Sequence, residues 1–378
     1  MVNTYKIGVK TFISIEFTFF VLSQLKMFSF LTGVASIFNL FILILFFVDN
    51  NFYIKNIFTS ITFISLFFMG IIFEYNLIYN SYFQHHLIFL VTIFFITYKF
   101  KDEELLPFFN KLALIYFLLS IIFNYILVDL RLTVYDVRVL DHRFFTFCHR
   151  FIGLEGTPAG SDILFTILLI LNIKEGIKSN IIYIIIYIVG LLWTSSLSNI
   201  VAVVLALPVF ILPSFLNFIY LIMSTFLLHH IITYIYANFS SYRDILDIAT
   251  TYRARIYYRI WEYSNFNFNY LFGNKELIKY LHSTGVIEED PHSTYLLYEE
   301  KLGIAISWFI YIYLAIKTFF SSDRFKLFII SVILIYAATN STILSPRGNP
   351  IIIFILLQYI VKIIDKNKGY YYVSKYSN

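Results

Sequence analysis

Apolar residues run along this chain in long stretches, with few of the short amphipathic blocks of a soluble fold. Stretches of about 17–22 residues match a helix crossing a hydrocarbon core of about 30 Å. They predict twelve spans, near 8–25, 28–48, 54–73, 83–98, 109–128, 158–173, 180–194, 198–212, 214–236, 301–320, 325–343 and 349–364. The alternation over about ten residues expected of a membrane barrel is absent. Two linkers are long and polar, 129–157 and 237–300, and the others are short. The fold class is therefore all-α: one polytopic transmembrane domain over 1–378 with two long loops. No internal repeat argues for inverted symmetry, which weakens a transporter.

Composition agrees with the pattern. The chain is 59% hydrophobic and 13% charged, against about 45–50% and about 25% for soluble domains. A soluble globular protein, a disordered tail and a nucleic-acid-binding domain are excluded on that ground. The single cysteine, Cys148, excludes an internal disulfide and a Cys-rich metal site. The segment from Met1 to Lys10 has no signal-peptide core, and the next segment reads as a full span.

Charge sets the orientation. With the N-terminus inside, Lys6, Lys10, Lys55, Lys99, Lys101, Lys174, Lys178, Lys326, Lys362, Lys366 and Lys368 face the cytoplasm. The short outward loops are nearly free of Lys and Arg, as the positive-inside rule requires. Both long loops then lie outside. Arginine is distributed oppositely: Arg131, Arg138, Arg143 and Arg150 fall in the first loop, Arg243, Arg253, Arg255 and Arg259 in the second, and Arg347 at an outer helix end. Topology does not demand this split. Arg suits planar, bidentate contact with phosphate or carboxylate, so the cluster predicts an anionic ligand outside. Its bland alternative is pairing with Asp129, Asp136, Asp141, Asp244 and Asp247. The histidines gather on the same side, with His229 and His230 in the outer half of the ninth span.

Several segments carry candidate chemistry. Arg143 to Gly153, followed by Gly156, Pro158, Gly160 and Asp162, brings a glycine-rich approach to a helix start, where free N–H groups can receive an anion. The stretch 242–262 is predicted helical, with Arg255 and Arg259 four apart on one face. Such a pair suits a diphosphate, and equally an interfacial helix at headgroup level. His292, in Asp290-Pro291-His292-Ser293, stands at a helix start near carboxylates, where an imidazole can act as general base. Thr194 to Asn199 reads as a tight turn. Glu16 is an intramembrane carboxylate with no partner named by the sequence.

Together these segments resemble the O-antigen ligase and polymerase superfamily of bacterial polysaccharide assembly. Arg150-Phe151-Ile152-Gly153 with Pro158 is similar to the family's arginine–glycine motif. Arg255 through Trp261, then Leu271-Phe272-Gly273-Asn274, is similar to its arginine–tryptophan helix and the segment after it. Pro291-His292-Ser293-Thr294-Tyr295-Leu296, through Glu299 to Gly303, resembles its histidine motif. One departure stands out. Where many relatives carry a "ser-arg" pair, this chain has Ser196-Leu197-Ser198-Asn199.

The resemblance implies a GT-C-like membrane glycosyltransferase in the bacterial inner membrane, its site facing the periplasm. The donor and acceptor would be oligosaccharides on undecaprenyl diphosphate, with membrane lipid around the site and a chain-length regulator as a possible partner. His292 would deprotonate the acceptor hydroxyl, with Glu299 as a second catalytic candidate. Arg150 and Arg255 would hold the diphosphate, with Arg259 or Arg253 close by. No metal or other cofactor is implied, since arginines can neutralise the departing phosphates. The expected function is that of an O-antigen polymerase. The alternatives are the ligase, which transfers the finished chain to lipid A–core, and, from a different class, a lipid-linked oligosaccharide flippase.

Overall fold

The computed structural model describes residues 8–48, 81–99, 104–127, 133, 151, 153–154, 158–194, 198–250, 253–266, 293–340 and 349–373. Its helices are α1 (Val9–Ser23), α2 (Leu31–Val48), α3 (Ser81–Lys99), α4 (Leu106–Ile122), α5 (Pro158–Glu175), α6 (Ile177–Thr194), α7 (Ser198–Ala206), α8 (Ser214–Ser224), α9 (Leu228–Asn238), α10 (Arg243–Thr250), α11 (Arg253–Phe266), α12 (Thr294–Leu302), α13 (Ile304–Thr318), α14 (Arg324–Ala338) and α15 (Pro350–Val373). Among the described residues there is no strand, only an isolated bridge between Leu25 and Thr133. The chain is thus all-α. Helices lie over every predicted apolar run except 54–73, which falls outside the described residues.

Length and apolarity narrow the membrane assignment. The segments Lys26–Leu45 and Ile177–Thr194 are each long and apolar enough to cross a bilayer. The pair α8 and α9 makes a third if counted as one span bent by 61°. The exposed faces agree. Ile181, Ile182, Ile185, Ile188, Val189 and Leu192 form a helical stripe along α6, while Ile184, Tyr187 and Gly190 on its other face are buried. A continuous apolar stripe with no protein over it is what a lipid-facing helix presents.

The contacts gather into two compact units, Met1–Asn50 with Ile88–Val201 and Pro346–Lys362, and Asn51–Leu87 with Ala202–Ser345 and Ile363–Asn378. In the first unit α5 and α6 form a hairpin through Gly176, whose φ of +139° few residues besides glycine adopt. Between them Phe165 stacks on Tyr187, and Phe151 packs on Phe117, Phe165 and Trp193. Gly190 admits the Phe165 ring: a Cβ there would meet ring carbons at 2.6 Å. Asn110 and Asn172 exchange side-chain amide hydrogen bonds of 2.8 Å, and the Tyr187 hydroxyl donates to Asn110 Oδ1 at 2.8 Å. Glu16 does have a partner: Asn39 Nδ2 donates to its Oε1 at 3.0 Å.

In the second unit the predicted ninth span is broken. The side chains of Ser224 and Thr225 donate back to the carbonyls of Tyr220 and Leu221, and Thr225 leaves the helix at φ −107°, ψ −88°. Back-bonding hydroxyls compete with the main-chain ladder and bend helices, which hydrophobic periodicity does not register. The chain restarts as α9 with its first turn holding His229 and His230. The second long linker also carries more structure than a loop, namely α10, α11 and α12. Ile256, Tyr257 and Ile260 of α11 and Leu296 of α12 form one apolar cluster, with Ile232 of α9 and Ile304 of α13 against it. Helix α14 is buried from Leu327 to Ala338, as a helix apolar on all sides should be.

Candidate functional site

The histidine motif meets the broken span at one point. Ser293 is extended, at φ −143° and ψ 125°, and its hydroxyl accepts from the Leu296 N–H, starting α12 immediately after His292. Gly303 ends the helix with φ +81° and ψ 158°, a conformation favouring glycine, and α13 begins at once. Tyr295 and Glu299, one turn apart, point inward and are buried. The Tyr295 hydroxyl donates to the Leu334 carbonyl of α14 at 2.7 Å and fixes the register of α12.

Glu299 is fully buried between two imidazoles of α9. Nε2 of His230 lies 3.4 Å from Oε1, and Nε2 of His229 lies 3.6 Å from Oε2. His229 is 1% exposed and His230 33% exposed, so the cluster opens to its surroundings on one edge only. The two rings lie against each other with centroids 4.0 Å apart. Tyr257 of α11 and Tyr295 flank His229, and Trp308 of α13 flanks His230. Burial pushes the Glu299 carboxyl up, but the adjacent imidazoles, His229 ahead of His230, outweigh it and hold the group below its ordinary range. Neither ring nitrogen of His229 has a hydrogen-bond partner, and neither does Glu299 Oε2.

The arginines of α11 divide by face. Arg253 donates to the Thr339 carbonyl at 2.6 Å, satisfying an acceptor beyond the C-terminus of α14, and Thr294 does the same for Asn340 at 2.7 Å. Arg259 pairs with Glu262 at 2.7 Å. Arg243 donates to the carbonyls of Tyr236 and Ala237 at the end of α9. Arg255 is exposed and makes no hydrogen bond or ion pair among the described residues. The face it shares with Arg259 is the one turned away from the buried Ala254, Tyr257 and Ile260. Arg150 and His292 lie outside the described residues, but Phe151, next to Arg150, is buried in the first unit and donates its N–H to the Trp193 carbonyl at 3.1 Å. At the turn between α6 and α7, the Thr194 hydroxyl donates to Asp162 Oδ1 at 3.3 Å, and Asn199 Nδ2 donates to the Thr166 hydroxyl at 3.0 Å.

Sequence reasoning singled out Glu299 but not the two histidines that meet it. The available signal was an adjacent His pair inside an apolar run, where ionisable groups are rare and costly. No protein-family model, curated protein or solved structure matches the chain.

Proposed function

We propose that the protein is a membrane glycosyltransferase of the O-antigen polymerase type. It joins oligosaccharide units carried on undecaprenyl diphosphate at the periplasmic face of the bacterial inner membrane. The observation that carries the proposal is Glu299. A carboxylate with no exposure, set between two imidazoles, is a costly arrangement. It occurs within the segment that resembles the family's histidine motif, on a helix that begins two residues after His292. Contacts at Glu299 and at Tyr295 hold α12 in place against α9 and α14.

In this mechanism His292 takes the proton from the acceptor hydroxyl, the oxygen attacks the anomeric carbon from the face opposite the diphosphate, and the sugar inverts. The diphosphate departs toward guanidinium groups. Arg255 is the arginine of α11 left uncommitted by a neighbour among the described residues, so it is assigned that contact, the role that the resemblance also implies for Arg150. Arg259 lies on the same face of α11 as Arg255, and Arg253 supports the helix. Glu299 positions rather than reacts.

The test is complementation of a polymerase-null strain, scored as the ladder of long-chain lipopolysaccharide. His292→Ala is expected to abolish the ladder at normal protein level, since a general base contributes roughly 10²–10⁴-fold. Core plus one repeat should remain. Core alone in the parent deletion strain would instead identify a ligase, and a full ladder from His292→Ala would remove the general-base role.

A further inference from the structure

We propose that His229, His230 and Glu299 bind one divalent transition-metal ion of the zinc class, a site that shares Glu299 with the glycosyl-transfer reading but does not rest on sugar transfer. The three side chains offer one ligand atom each, all within 4.8 Å of one another. Their separations distinguish a metal site from a hydrogen-bonded triad. A charge-assisted N–H to carboxylate bond spans about 2.7–2.9 Å, whereas the structure has 3.4 and 3.6 Å. Ligands about 2.0–2.2 Å from a tetrahedral zinc stand roughly 3.4 Å apart. Both histidine–carboxylate separations fit the second spacing better than the first.

Partnering agrees with spacing. Nε2 of His229 and Oε2 of Glu299 are buried without a hydrogen bond although they face each other. Three nearby phenols donate elsewhere: Tyr295 to the Leu334 carbonyl, Tyr257 toward the Ala338 carbonyl and Tyr311 to the Tyr295 carbonyl. A cation between these atoms would satisfy both at once. The donor set selects its kind. Two imidazoles and one carboxylate suit zinc and its first-row neighbours, while calcium and magnesium prefer all-oxygen shells. The half-open edge at His230 gives the ion an entry path and leaves a fourth position for water. Three breaks in the helices build the site: the Thr225 bend turns the first turn of α9 inward, Ser293 starts α12, and Gly303 ends it within one turn of Glu299.

The experiment uses the full, untagged chain in detergent, stripped with a chelator and titrated with Zn²⁺ alone, then with Co²⁺. The expected result is one equivalent per chain and the visible absorption of four-coordinate cobalt. His229→Ala, His230→Ala and Glu299→Gln should each lose more affinity than the roughly 10–100-fold that removal of an outer-shell partner costs, while His282→Ala, which alters another histidine of the second long linker, binds like the parent. His230→Ala alters the partly exposed member, so it tests the site even if a buried variant misfolds, with monodispersity and helical circular dichroism as the measure of folding. Absence of stoichiometric binding, or equal affinity in folded His230→Ala, would overturn the proposal. Neither outcome depends on sugar transfer, so failure of the ladder assay leaves this result standing.

Discussion

Asn110→Leu should loosen the first unit by an amount its hydrogen bonds fix in advance. Three bonds of 2.8 Å end on this side chain: its amide donates to Asn172 Oδ1, and its carbonyl accepts from Asn172 Nδ2 and from the Tyr187 hydroxyl. Leucine nearly conserves the volume, so cavity formation contributes little. Asn172 Nδ2 keeps a bond to the Leu168 carbonyl, but Asn172 Oδ1 and the Tyr187 hydroxyl lose these partners in a buried site. Hydrogen bonds between membrane helices average about 0.6 kcal/mol and reach about 1.7, while a buried group left unpaired costs about 1–3. Together these give a loss of roughly 2–4 kcal/mol.

The double variant Asn110→Leu with Asn172→Leu removes both amides and leaves only the Tyr187 hydroxyl orphaned. It should therefore cost less than the sum of the two single variants, with a coupling of about 1 kcal/mol or more. Unfolding by sodium dodecyl sulfate in mixed micelles, followed by tryptophan fluorescence, measures each corner of the cycle. A single variant within about 0.5 kcal/mol of the parent, or strict additivity, would refute the buried exchange of hydrogen bonds.

Other substitutions probe the remaining features. Gly190→Ala places a methyl 2.6 Å from the Phe165 ring and should cost about 1–3 kcal/mol in the same assay. Gly303→Ala, at φ +81°, should cost about 1–3 kcal/mol from strain and also shorten the lipopolysaccharide ladder, because α12 loses its stop beside Glu299. Asn39→Leu removes the hydrogen-bond donor to buried Glu16 and should destabilise the chain by about 1–3 kcal/mol, a loss largely relieved by adding Glu16→Gln, as thermal aggregation in detergent would show. Arg255→Lys should cut polymerisation with stability unchanged, because a point charge does not replace a planar fork. Arg253→Lys should lower stability instead, through its bond to Thr339.

Helix positions were legible because the signal for them is local. Apolar runs coincide with helices wherever the structure describes the chain, and the (i, i+4) spacing correctly put Arg255 and Arg259 on one face of α11. Breaks were less legible. The ninth run reads as one span, yet it breaks at Thr225, where two hydroxyls hydrogen-bond the preceding turn. Hydropathy sums do not distinguish a threonine that continues a helix from one that stops it. Three arginines have partners that the sequence did not name: Arg259 has Glu262, and Arg253 and Arg243 have main-chain carbonyls. Which arginine stays uncommitted depends on where other helices end, and that is a tertiary fact.

The same limit explains why Glu299 could be singled out while its surroundings could not. A glutamate near the start of an apolar run has an obvious bland reading, that of a solvated residue at a helix end. Its burial follows from two distant events. Thr225 must break the helix for His229 and His230 to fall in a first turn, and Tyr295 must reach Leu334 for α12 to turn Glu299 toward them. The cost of burying three ionisable groups is met only when all are brought together, by each other or by an ion. The cluster therefore marks the place where the folding of the loop and that of the span constrain one another.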